Sequence, residues 1–273
     1  MNPLDIVAEH GADATRYGLL KMSSSQDVRF AIGAIEEGRK LAIKLWNASR
    51  LVQGAGPAEG EPRPGAIEER WIYARLEETR KEVEADLSAF DFAHAVDRLY
   101  HLTFDDFCDW YLEAIKPRLG EPGVRATALA ALERLLALLH PVMPHVTEEI
   151  WSHLPDRESR LIVSSWPAPD ERFASDLHAL DRVQEARPVY VRSGVQPQFT
   201  EDEQRIFEIV TRRDRVQGDG NAAGEIDRLQ KEIARAEGML ANDRFTANAP
   251  VEVVEAEREK LERYRRELDA ISN

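Results

Sequence analysis

The sequence predicts an all-α protein: an antiparallel helix bundle, a small irregular connecting region and a C-terminal antiparallel coiled-coil hairpin. Three observations carry this expectation. Apolar residues recur at steps of three and four in several separate windows. The windows in the first half are joined by short connections, several marked by Gly or Pro. Charged residues, 32% of the 273, fill the faces that the apolar stripes leave over.

Residues 3–22 read as two short helices broken at Gly11, with Asn2-Pro3 as N-cap and first position. Ser23 to Asp27 reads as a polar loop. The next helix, about 31–52, carries Ile35, Gly38, Ala42, Leu45, Ser49 and Val52 on one stripe, spaced 3, 4, 3, 4, 3. Gln53 to Gly65, rich in Gly, Pro and Glu, is a flexible connection. Helical period resumes over 68–87 with Ile72, Leu76, Thr79, Val83 and Leu87 on one side. A third long helix, 92–116, stops at Pro117 and turns Val96, Tyr100, Phe104, Phe107, Tyr111 and Ala114 inward. A fourth covers 125–139. Thr147-Glu148-Glu149 opens a short fifth, with acids where the helix dipole favours them. Four or five such helices with short connections make the bundle.

From Leu161 to Gly224 the pattern weakens. Leu177–Ala186 and Glu201–Arg213 look helical, Pro188 and Pro197 break the period, and Val189–Arg192 fits a strand or a helix end. The last fifty residues are clearer. Ile226, Leu229, Ile233, Ala236 and Leu240 are spaced 3, 4, 3, 4, and Leu261, Tyr264, Leu268 and Ile271 are spaced 3, 4, 3. A turn lies between them and Pro250 suits the first position of the second helix. That is the hairpin. The resulting boundaries are 1–30, a helical junction; 31–160, the bundle; 161–224, the connection; and 225–273, the hairpin arm.

Composition excludes several functions. Thirty-six basic against fifty acidic residues give a formal charge of −14, which argues against a generic nucleic-acid or anionic-membrane binder but not against a local RNA site. The single Cys108 excludes an internal disulfide framework and a CxxC zinc site. No apolar run approaches the roughly 20 residues that span a bilayer. The first residues lack the pattern of a secretory signal, so a cytoplasmic location is expected.

Chemistry-bearing motifs are sparse. Lys21-Met22-Ser23-Ser24-Ser25 resembles a nucleotide-contacting signature loop, but no strand or Gly-rich phosphate loop precedes it. His140 and His145 flank Pro141 and Pro144, and Glu148 and Glu149 follow at the wrong spacing for a zinc helix, so no metal and no cofactor is expected. Asp105, Asp106 and Asp109 sit close together on one helix, where a solvated face outweighs acid–base work.

One face differs. On the 31–52 helix, Lys40, Lys44, Asn47 and Leu51 follow steps of 4, 3 and 4 and cluster opposite the apolar stripe, flanked by Arg39, Trp46 and Arg50. Amides read base edges, planar groups stack and cations meet phosphate, a combination suited to an unstacked RNA loop. An ordinary solvated face, with Trp46 packed at the bundle edge, is the alternative, and composition leaves the two even.

Longer motifs point further. Asn2-Pro3-Leu4-Asp5, Gly11-Ala12-Asp13-Ala14 and Arg16-Tyr17 resemble the stretch that follows the signature loop in class I aminoacyl-tRNA synthetases for branched aliphatic amino acids. Gln26-Asp27-Val28-Arg29-Phe30 and Lys44-Leu45-Trp46-Asn47-Ala48-Ser49-Arg50 narrow the resemblance to valyl-tRNA synthetases, as do Phe107-Cys108-Asp109-Trp110-Tyr111-Leu112-Glu113 and His140-Pro141-Val142-Met143-Pro144 with Thr147-Glu148-Glu149-Ile150-Trp151. The C-terminal hairpin is similar to that family's coiled-coil arm. In the family order the signature loop lies before Asn2, so Lys21–Ser25 matches it by coincidence. The family's nucleotide-binding and editing domains have no counterpart in these residues, and the segment between bundle and arm looks shortened.

The resemblance implies that the 31–52 helix lies beside the anticodon, that Lys44, Asn47 and Arg50 keep the family pattern, and that Leu51 stands where members usually carry Phe. The arm would support the outer corner of the tRNA. The expected partner is valine tRNA, together with a separate catalytic chain. No valine-dependent ATP–pyrophosphate exchange is expected of this polypeptide alone, and detecting it in pure protein would overturn that expectation. A helical module that binds a protein partner or dimerises, with RNA binding lost, is the alternative. Light scattering with and without tRNA separates them.

Overall fold

The structure is a computed structural model that describes residues 3–22, 32–56, 60–155 and 159–212, with the isolated positions 233, 237, 240 and 261. The chain divides into two compact units, residues 1–210 and 211–273. Among the described residues there are helices and no strand. The Ser23–Asp27 loop and the C-terminal hairpin lie outside the described residues, although Ile233, Glu237, Leu240 and Leu261 are helical.

In the first unit, α1 (Pro3–His10) and α2 (Ala12–Lys21) are separated by Gly11, whose φ of 89° is a backbone conformation that L side chains rarely adopt. The helix α3 (Ile32–Gly54) packs on α2 at close range. A Cβ on Gly38 would come within 2.7 Å of the Tyr17 ring, so only glycine fits there. The stripe read from the sequence is buried at Ile35, Gly38, Leu45, Ser49 and Val52. Leu41 and Ala48 are buried beside it, and Ala42 is half-buried.

Next comes α4 (Ile67–Ser88), whose start is capped by the Glu69 carboxylate, which accepts from the backbone N–H of Gly65 (2.7 Å) and Ala66 (3.0 Å). Ile72, Leu76, Thr79 and Val83 enter the core as expected. The segment expected as one helix over 92–116 is composite. It runs as α5 (Phe92–His101), a π-helical stretch Leu102–Tyr111, α6 (Leu112–Ile115) and a 3₁₀ turn Lys116–Arg118. The wider π turn, in which the Leu112 N–H reaches the Phe107 carbonyl, changes which residues share a face.

Two more helices complete the core. The first, α7 (Pro122–Leu139), is buried along most of its length, and α8 (Pro144–Ser152) follows. The latter begins three residues earlier than the sequence suggested, with Pro144 in its first turn, so Glu148 and Glu149 are not N-terminal acids. The acid at that N-terminus comes from another helix. Asp13 of α2 accepts from the backbone N–H of His145 (3.0 Å) and Val146 (2.6 Å). Glu148 instead accepts from the backbone of Leu161 (2.9 Å) and Ile162 (3.1 Å), anchoring the chain that follows.

Residues 159–210 lie against this body. Their longest helix, α9 (Asp181–Ser193), contains Pro188 without stopping, a correction to the expected break. Pro188 sits on the exposed side of the helix, so its ring is not pressed into the core. Val189–Arg192 is therefore the helix end, and Gly194 at φ 69° closes it. The helix over 201–212 opens with a reciprocal cap. Thr200 donates its N–H to the Glu203 carboxylate (2.8 Å), and its hydroxyl accepts from the Glu203 N–H (3.3 Å). Tyr17, Leu41, Trp71, Phe107, Leu135 and Phe207 share one apolar core. No described helix is long and apolar enough to cross a membrane.

Candidate nucleic-acid interface

The face singled out on α3 begins with its packing. Once Leu41, Leu45, Ala48 and Val52 turn into the core, the 3.6-residue period places Lys40, Asn47 and Arg50 outside, and all three are exposed. Arg39 is exposed beside them. Among the described residues, Lys40, Asn47 and Arg50 have no ion pair or side-chain hydrogen bond.

The other three candidates are placed differently. Trp46 is half-buried at the edge of the core, edge-on to the His153 ring with centroids 6.0 Å apart. Leu51 is also half-buried against the core, so it backs the face rather than projecting from it. Lys44 is turned aside. Its ammonium lies 2.9 Å from the Asp109 carboxylate and 3.1 Å from the centre of the Phe104 ring. The structure thus brings Lys40, Asn47 and Arg50 together on one accessible face and holds Lys44 in an internal contact.

Sequence reading missed Asp109 and Phe104 as Lys44 partners. Both lie in the π-helical stretch, whose wider turn no apolar period announces. That turn also disperses the acidic trio. Asp105 pairs with His101 (2.6 Å), Asp106 with Arg75 (2.9 Å) and Asp109 with Lys44. The solvated-face reading fails for Asp106, which is buried, and burial raises its pKa despite Arg75.

The remaining charged candidates serve the fold. Lys21, the first residue of the signature-like motif, is bound to Glu37 and lies 3.3 Å from Asp97. The Tyr17 hydroxyl donates to the same Glu37. His140 shares a hydrogen bond with the Thr147 hydroxyl (2.8 Å), and burial lowers its pKa. Among the described residues, no group of His, Cys, Asp and Glu is arranged to hold a metal ion. A cleft of about 300 Å³ adjoins the C-terminal end of α3, lined by Val52, Gln53, Arg125, Leu129 and His153. Arg125 is fixed there by the carbonyl of Gly120 at 2.7 Å.

Comparison with known proteins adds to this geometry. The family model of the anticodon-binding domain of tRNA ligase matches residues 69–209. That of the valyl tRNA synthetase tRNA binding arm matches 223–273. The valine–tRNA ligase of Enterococcus faecalis is 31% identical over 343 residues, covering 99% of this chain and 38% of that protein. The one from Carboxydothermus hydrogenoformans is 32% identical, with the same coverage of 99% and 38%. The one from Mycobacterium tuberculosis is 39% identical over 76% of this chain and 24% of that protein. Among solved structures, a ternary complex of LeuRS, tRNA and LeuAMS from Agrobacterium radiobacter K84 resembles it. The TM-score is 0.51 and identity 26%, over 64% of this chain and 21% of that one. The chain thus spans well under half the length of these curated relatives.

Proposed function

The chain belongs to the family of anticodon-binding domains of tRNA ligases, and on that premise we propose that it is the tRNA-binding portion of a valine–tRNA ligase. The order of the two family matches carries this reading. An anticodon-binding domain over 69–209 is followed by a tRNA-binding arm over 223–273. The face on α3 supports it, because it offers two exposed cations and an amide beside half-buried Trp46 and Leu51. In this reading residues 31–160 receive the anticodon loop of valine tRNA, and 225–273 reach its outer corner. Residues 1–30 and 161–224 join these parts to one another and to an adenylate-forming domain supplied by further sequence or a separate chain.

The mechanism is recognition rather than bond-making. Arg50 and Lys40 meet phosphate, Asn47 reads the edge of an unstacked base, and Trp46 and Leu51 limit its depth. With a chain charge of −14, few phosphate contacts are available, so binding is weak and its salt slope is that of only a few contacts. Fluorescence titration with valine tRNA, the same tRNA with an altered anticodon, and a leucine tRNA tests this. The expected order is valine tRNA first, with a loss on anticodon replacement and at high salt. Equal binding of all three, or of none, overturns the reading.

A further inference from the structure

Lys44 keeps the position on α3 that the RNA reading needs, yet its charge is already answered inside the protein. Lys44 and Asp109 are both only partly exposed, at 22% and 26% of the side chain, and are 2.9 Å apart. The same ammonium lies 3.1 Å from the centre of the Phe104 ring. Phe104 in turn stacks on Tyr100, with centroids 5.2 Å apart and planes 11° from parallel, and Lys21 lies 5.3 Å from the Tyr100 centre. The lysine therefore sits in a seat with one anionic wall and one aromatic wall, and the aromatic wall is braced from behind.

We infer that Asp109 is a latch on Lys44: it withholds this cation from RNA phosphate and so lowers the affinity and the salt dependence of the α3 face. The inference rests on the RNA reading above and specifies how that site is regulated. The physical argument has two parts. A cation already neutralised by a fixed carboxylate does not neutralise an arriving phosphate, so the counterion condensed on that phosphate stays in place. The phosphate would also meet the Asp109 charge at contact distance, and like charges repel. Lys40 and Arg50 have no such carboxylate among the described residues and are exposed. The π-helical stretch makes the latch possible. It sends Asp106 toward Arg75 and Asp105 toward His101, leaving Asp109 the acid that faces α3.

The test is a cycle of Asp109→Asn, Lys44→Ala and the double variant, each checked for an unchanged circular-dichroism melt. Asparagine keeps the size and most hydrogen bonding of Asp109 while removing its charge. Binding of a valine anticodon stem-loop RNA is measured from 50 to 200 mM salt. Asp109→Asn is expected to bind about three- to tenfold tighter at the low end, with a log–log salt slope steeper by about 0.7, one single-strand phosphate contact. The gain should vanish in the double variant, and Lys44→Ala alone should stay within about twofold of the parent. Weaker binding by a folded Asp109→Asn, or an unchanged slope, overturns the latch, as does a loss in Lys44→Ala equal to that in Arg50→Ala. Acylation by an amine-selective reagent gives a readout that needs no RNA. Lys44 should react more slowly than Lys40 in the parent and gain reactivity in Asp109→Asn. If no protein binds RNA, the functional reading fails, and the acylation contrast alone supports or overturns the latch.

Discussion

The helices α3 and α4 are of similar length and both mix charge with an apolar stripe, yet they use charge in opposite ways. On α3 the cations Arg39, Lys40 and Arg50 point outward. On α4 four charges point inward, with Glu68, Glu69, Glu77 and Arg80 all buried. Glu68 receives Arg118 (3.0 Å) and Arg205 (2.7 Å). Glu77 receives Arg80 (2.9 Å), Arg134 (3.3 Å) and the Asp170 backbone N–H (2.9 Å). Burial opposes the Glu77 charge, but these bonds hold its pKa below the ordinary carboxylate range. Removing charge from water is unfavourable unless every partner is present. The α4 acids therefore bind distant parts of the chain to one helix, while the α3 cations remain open to a ligand. Charge density alone distinguishes neither role; the surrounding groups do.

Cutting the inward network should give the largest effect. Glu68→Ala leaves Arg118 and Arg205 without their shared carboxylate. It is expected to lower unfolding free energy by about 3–5 kcal/mol, the usual consequence of breaking a buried pair, read by urea denaturation. A loss below about 1 kcal/mol would show that the network is more hydrated than its burial indicates. An intermediate case is Asp13, which caps α8 from α2. Asp13→Ala should cost about 1–2 kcal/mol, as for loss of an N-cap, and Asp13→Asn should recover part of it in the same assay. On the outward face the balance reverses. Arg50→Ala should leave stability within about 0.5 kcal/mol and reduce the salt slope of RNA binding by about 0.7. A stability loss as large as that of Glu68→Ala would erase the contrast between the helices.

The smallest effect concerns pH. Burial lowers the folded pKa of His140 below its unfolded value. The unfolded chain therefore takes up a proton first as pH falls through the ordinary histidine range, and stability falls with it. Thermal melts between pH 7.5 and 5.5 should show that decline, and His140→Gln should flatten it.

Legibility followed the strength of local pattern. The buried stripe of α3 and the four core positions of α4 were readable because burial on one side imposes a 3.6-residue period on the sequence. The Gly11 break was readable because so few residues tolerate its φ. The π-helical stretch Leu102–Tyr111 left no such trace, and with it went the partners of Lys44 and the separation of the acidic trio. Pro188 misled because its effect depends on whether its ring faces solvent or the core. Of the six candidate RNA contacts, the exposure of Lys40, Asn47 and Arg50 followed from helical phase. The seating of Lys44, Trp46 and Leu51 depended on neighbours more than fifty positions away or on the core edge.

The sequence by itself determined the all-α class, most helix limits, the family and the helix face on which RNA contact is proposed, because each rests on local period or on extended motifs. Only the tertiary structure decided which charges belong to that face. The sign of a side chain is written in the sequence, but its availability depends on what lies within a few ångströms. For Lys44 that is the carboxylate of Asp109, delivered by one wide helical turn.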